Sequence, residues 1–152
     1  MEQLEERTVP ALYPATLSLG SLNGGTGFTL SGSADTDGAG QSVRQAGDVN
    51  GDGIDDLIIG APYAEAGGTD RGQAYVVFGQ ATPANVDLTD LGANGFKMNG
   101  ESGNSKTGWQ VAAGDFTGDG KDDVAVSAVW AKDYAGSTYI VKGKASNGAV
   151  AL

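Results

Sequence analysis

The chain has 152 residues, no cysteine, no histidine, 26 glycines and a net charge of −10. Without Cys or His it cannot build disulfides, the usual zinc sites, thiol nucleophiles or histidine general bases. The acidity argues against nucleic acid or an anionic membrane as partner, and no stretch approaches the apolar length, about eighteen residues, of a membrane-crossing helix.

Residues 1–14 read as a leader or added tag. The run Met1-Glu-Gln-Leu-Glu-Glu-Arg7 lacks the basic-then-apolar layout of a secretion signal, and Pro10 and Pro14 disfavour regular structure. From residue 15 onward the chain is a tandem repeat. One copy spans 15–82 and a second 83–145, leaving 146–152 as a tail. Phe28 and Phe96 are 68 apart, Asp48 and Asp115 are 67 apart, and Tyr75-Val-Val-Phe-Gly79 returns as Tyr139-Ile-Val-Lys-Gly143 after 64.

Each copy predicts four short strands. In the first they are Phe28–Ser31, Ser42–Gly47, Leu57–Ala61 and Gln73–Phe78. In the second they are Phe96–Asn99, Gln110–Gly114, Val124–Ala128 and Ser137–Lys142. Glycine-rich turns separate them, helical periodicity is absent, and the third-listed runs are near-continuously apolar, as when both faces of a sheet are covered. The predicted class is all-β, with four-stranded sheets repeated radially as propeller blades. The first copy has one residue more between Gly40 and Asp48 than the second has between Gly108 and Asp115. That extra residue predicts a β-bulge, since an unabsorbed one-residue shift would turn the apolar side chains outward.

Between the second and third strands of each copy lies an acidic loop, Asp48-Val-Asn50-Gly-Asp52-Gly-Ile54-Asp55-Asp56 and Asp115-Phe-Thr117-Gly-Asp119-Gly-Lys121-Asp122-Asp123. Oxygen-bearing side chains stand at positions 1, 3, 5 and 9, with position 7 (Ile54, Lys121) placed to offer its carbonyl. This is the donor chemistry of a hard divalent cation such as Ca2+, which takes about six to eight oxygens. A plain solvated turn would also use Asp and Gly, but two copies at one spacing, each running into a strand, weigh against that reading. An EF-hand needs an acidic residue at position 12 and flanking helices. Position 12 is Ile59 in one loop and Val126 in the other, so the EF-hand is rejected.

These residues resemble the FG-GAP repeat, the propeller blade of integrin α-subunits and of many bacterial surface proteins. The strongest matches are Ser42-Val43, Ala46-Gly47-Asp48-Val-Asn-Gly-Asp52-Gly, Asp56-Leu-Ile-Ile-Gly60-Ala61-Pro62 and Gly72-Gln-Ala-Tyr-Val-Val-Phe-Gly79. The Phe-Gly pair itself is Ala39-Gly40 in one copy and Thr107-Gly108 in the other, and Gly60-Ala61-Pro62 becomes Ser127-Ala128-Val129. The resemblance implies one structural calcium held by Asp48, Asn50, Asp52, Ile54 and Asp56. A second would be held by Asp115, Thr117, Asp119, Lys121 and Asp123, weaker or water-assisted where Thr117 replaces Asn50. It also implies a protein or glycan ligand on the opposite face, over Ser31–Gly40, Pro62–Gly72, Glu101–Gly108 and Val129–Gly136, and an extracellular or cell-surface location. Asp35 and Asp37 lie on that face, though turn residues are their plainer reading. Trp109 and Trp130 read as packing between blades or capping a loop in preference to stacking on a sugar.

Two blades do not make a propeller, because each buries its faces on neighbours. The chain opens with an outer strand that has no blade and ends on a blade that has no outer strand. Head-to-tail exchange between copies would cure both, giving six blades from three chains, the favoured count, or eight from four. The rival reading is a fragment of a longer propeller. The expected function is a non-catalytic, calcium-stabilised binding, adhesion or scaffold module. Its alternatives are a designed or excised fragment whose role is self-assembly into a ring and, more remotely, a carboxylate-pair glycosidase. Glu65 and Glu101 are the only glutamates outside the leader.

Overall fold

A computed structural model describes residues 16–32, 34–66 and 69–143, and the backbone of 150–151. The leader at 1–14 lies outside the described residues. The described residues form ten strands: β1 (Leu30–Ser31), β2 (Ser42–Gly47), β3 (Asp56–Ala61), β4 (Gln73–Val77), β5 (Val86–Asp87), β6 (Gly95–Asn99), β7 (Thr107–Gly114), β8 (Asp123–Ala128), β9 (Ser137–Val141) and β10 (Val150–Ala151). The helical content is a 3-10 turn at Leu19–Ser21 and one turn at Ala131–Tyr134, in which Lys132, Asp133 and Tyr134 are left-handed.

The first blade is an antiparallel meander, β2-β3-β4-β6, with β10 added in parallel on its outer edge. The second is β7-β8-β9, and β1 pairs in parallel with β5. Repeat and blade are thus out of phase. The strand that opens the second sequence copy, β6, is the outermost strand of the first blade, laid on β4 from Gln73↔Asn99 to Val77↔Gly95. The expected bulge is present in the first copy, between Gln45 and Gly47, where Ala46 is the extra residue. The second copy has an irregularity that the loop lengths did not announce, between Thr107 and Val111.

The blades pack face to face. Ile58, Ala74, Val76, Phe96 and Met98 of the first meet Val111, Val124 and Val126 of the second. The Val, Ile, Phe and Met side chains among them each contribute roughly 1.5–3 kcal/mol when fully buried. The other face of the first blade (Ile59, Tyr75, Val77) is covered by Val86, Leu88 and Leu91, with Leu30 at the margin. This two-sided cover explains why β4 is buried along its whole length. Backbones come closest at Gly60 and Gly108. A Cβ on Gly108, whose φ is +89°, would run into the carbonyl of Gln73, so the close spacing of the blades depends on the missing side chain.

Candidate metal centre

Both acidic loops sit at one end of the molecule, joining β2 to β3 and β7 to β8, and they have the same internal hydrogen bonding. The Asp48 carboxylate accepts the N–H groups of Gly51 (2.7 Å), Asp52 (3.0 Å) and Gly53 (2.9 Å). Asp115 does the same for Gly118 (2.6 Å), Asp119 (3.1 Å) and Gly120 (3.0 Å). Asp52 accepts from the N–H of Ile54 and Asp119 from that of Lys121. Asn50 links to Asp52 twice, through its own Nδ2 and by accepting the Asp52 N–H. The glycines at loop positions 4 and 6 are left-handed, with φ of +80° and +85° at Gly51 and Gly53 and of +71° and +83° at Gly118 and Gly120. That conformation lets each loop wind its N–H groups around the leading carboxylate.

The ninth residue of each loop is buried and works as a strut. Asp56 accepts from Val49 N–H (3.0 Å) and from Gly79 N–H (2.8 Å), and Asp123 accepts from Thr117 N–H and Gly143 N–H, both at 2.9 Å. Each therefore ties its loop to the glycine that ends the following hairpin. Burial holds the Asp56 carboxyl above the usual range, with the charges of Asp52 and Asp48 adding to the effect against the two N–H donors. At Asp123 burial also pushes upward as the largest single influence. The N–H of Gly143 and the hydroxyl and N–H of Thr117 together outweigh it and lower the carboxyl. Asp48 is lowered, chiefly by the Gly53 N–H.

Among the described residues no three carboxylates converge on one point; Asp48 and Asp115 are spread over N–H groups of their own loops, and Asp56 and Asp123 are divided between the loop and the glycine beyond the next hairpin. The donor set still has the composition a calcium ion requires. It is all oxygen, with three carboxylates in each loop, an amide or hydroxyl at position 3 and a carbonyl at position 7.

The loops also touch each other, a contact the spacing did not reveal. Asp122 Oδ2 accepts the N–H of Asp48 (3.0 Å), the Asp122 N–H donates to the Asp48 carbonyl (3.2 Å), and the Lys121 stem lies over Gly51. Asp55, the counterpart of Asp122, instead accepts from Gln45 Nε2 (2.5 Å).

At the opposite end lie the loops that the resemblance designates for ligands. Lys106 is only 3% exposed. Its ammonium pairs with Asp70 (2.6 Å) and stands over the rings of Tyr63 (4.4 Å) and Trp130 (5.2 Å). Trp109 meets Tyr63 edge-on, and Trp130 leans on Tyr134. Trp109 therefore packs across the blades, and Trp130 caps its loop. Asp37 is buried, and its carbonyl accepts the Tyr63 N–H, as befits a turn residue. Asp70, Asn104, Lys106, Lys132, Asp133 and Tyr134 all have positive φ at this end. Neither that strain nor the buried lysine has a signature in the residue pattern.

The sequence profile of the FG-GAP repeat matches residues 39–77 and 107–152, more than half of the chain. The chain belongs to the FG-GAP repeat family. Among relatives of this FG-GAP chain is a phosphatidylinositol-glycan-specific phospholipase D of Dictyostelium discoideum, 30% identical over 71% of this chain and 13% of its own length. The mouse enzyme of the same name is 34% identical over 66% of this chain and 12% of its own length. Integrin alpha ina-1 of Caenorhabditis elegans is 34% identical over 76% of this chain and 11% of its own length. The FG-GAP chain thus spans about an eighth of the curated relatives it matches. No helix among its described residues is long and apolar enough to cross a membrane.

Proposed function

We propose that the chain is a calcium-stabilised β-propeller module for binding, adhesion or scaffolding at an extracellular or cell-surface site, with the metal structural and no catalysis. The observation that carries this reading is the duplicated loop. Two nine-residue segments share one donor spacing, one left-handed glycine pattern and one buried strut, in a repeat family that integrin α-subunits also contain. When bound, the ion would supply charge neutralisation for clustered carboxylates. Asp48, Asn50, Asp52 and Asp56 would hold one, with the Ile54 carbonyl. Asp115, Thr117, Asp119 and Asp123 would hold the other, with the Lys121 carbonyl. Folding and binding are then linked. Differential scanning calorimetry should give a melting temperature many degrees lower in EDTA than in millimolar CaCl2, and an unchanged value overturns the metal reading.

A protein or glycan ligand would engage the opposite end. There an open groove of about 470 Å³ is lined by Glu101, Asn104, Trp130, Lys132, Asp133 and Tyr134, within the range of small-ligand clefts, about 300–1,000 Å³.

A second reading, self-assembly through the unfilled blade, is favoured by paired exposures. Positions that are equivalent by repeat differ in cover: Phe96 is 1% exposed and Phe28 37%, Leu88 1% and Leu19 73%, Val111 7% and Val43 44%. In each pair the covered residue has a neighbouring blade among the described residues and the exposed one does not.

A further inference from the structure

The two parallel pairings are copies of one another. Leu30↔Val86 and Ser31↔Asp87 become Met98↔Val150 and Asn99↔Ala151 when β1 is advanced by the 68-residue spacing and β5 by the 64-residue one. β1 therefore stands beside β5 as β6 stands beside β10. Since β6 is the fourth strand of the first blade, β1 occupies the place of a fourth strand for a blade preceding it. At the other end of the chain, β7-β8-β9 form three inner strands that lack a fourth among the described residues.

We infer that β9 of one copy pairs antiparallel with β1 of a second copy, in the register Ser137↔Ser31, Thr138↔Leu30, Tyr139↔Thr29, Ile140↔Phe28 and Val141↔Gly27. This is the register of β4 on β6 carried over by repeat, and it rests on the self-assembly reading above. Backbone direction agrees. Val86 and Leu88 donate their N–H groups to the carbonyls of Thr29 and Ser31, so alternation along the strand turns the polar groups of Phe28 and Leu30 to the other edge.

The flanking surfaces agree as well. On the first blade, Ile58 and Val76 are buried against the second blade, whereas among the described residues no blade lies over their counterparts, the half-buried Ala125 and Ile140, which is 52% exposed. Gly108 is crowded by the first blade, and its counterpart Gly40 has open space where a Cβ would stand. Gly51 lies under the Lys121 stem, and its counterpart Gly118 is open. Each open position on one end of the chain finds its missing partner on the other end. The joint inside the chain is thus a template for the joint between copies. Such a contact is head-to-tail, closing into a ring when the rotation allows.

The absence of cysteine makes cross-linking unambiguous. Phe28→Cys and Ile140→Cys are made as separate full-length chains, mixed in CaCl2 and mildly oxidised. Mixing excludes bonds within one chain. Strand partners lie within disulfide reach, whereas residues two places out of register, about 7–8 Å apart, lie beyond it. The mixture should therefore give a covalent heterodimer about tenfold more abundant than Leu30→Cys mixed with Ile140→Cys. A second pair, Thr29→Cys with Tyr139→Cys, decides the register should loss of the Phe28 ring weaken assembly. Light scattering on the unmodified chain should give a whole multiple of its 15.2 kDa mass. A mass of one chain at every soluble concentration overturns the pairing, as does equal cross-linking in and out of register. Failure of calcium to shift the melting temperature would sink the metal reading without touching this result.

Discussion

At the residue scale, the ninth loop position and the blade-facing glycines matter most, for different reasons. Asp56 is buried and serves two backbone donors at once. Asp56→Ala should destabilise the protein by about 1–3 kcal/mol, the effect of stranding a buried N–H. The loss should appear in urea titrations even in chelator, because the strut does not depend on an ion. Gly40 and Gly108 separate two effects that usually come together. Both are left-handed, at φ of +93° and +89°, but only Gly108 is crowded. Where the chain is monomeric, Gly40→Ala should lose about 1–2 kcal/mol from backbone conformation alone. Gly108→Ala should lose a further 1–3 kcal/mol, approximately, from overpacking against Gln73 and Gly60. Equal urea midpoints for the two variants would contradict the packing described here.

At the element scale, the two acidic loops form one structure. Asp122 is not a donor at either proposed ion position, yet it holds the first residue of the other loop in place. Asp122→Ala should therefore weaken calcium binding at the first loop while leaving the second close to unchanged, and isothermal titration resolving two affinities would check it. The strands themselves were largely legible. The eight expected runs are all strands with ends within a few residues, β1 shrinking to two residues and β7 gaining three, because Gly and β-branched runs mark both kinds of boundary. The two acidic loops were legible as a matched pair because a nine-residue spacing repeats. The missing parts are long-range. β5 and β10 are two-residue strands whose pairing depends on a partner far away in sequence. The Asp122–Asp48 contact joins residues 74 apart, and the Lys106–Asp70 pair, lying between two blades, joins residues 36 apart. Nothing local to Gly-Asn-Ser-Lys106 announces a buried cation.

At the scale of the whole molecule, the charge of −10 is concentrated partly in two loops. In chelator, added NaCl should raise the melting temperature by screening those carboxylates. In calcium the same salt should do little, and a salt response indifferent to calcium would argue against loop repulsion as the source of instability. The blades are riveted at both ends, by Asp122 on the acidic side and by the Lys106 ammonium, clasped by Asp70, Tyr63 and Trp130, on the other. Only the first rivet sits among the loops proposed to hold ions. Stripping the cation would then make the pair gape like a clothes-peg around an intact pivot. An amine-reactive label should find Lys121 faster after chelation and leave Lys106 as slow as before, turning one hidden lysine into a gauge of where the hinge lies.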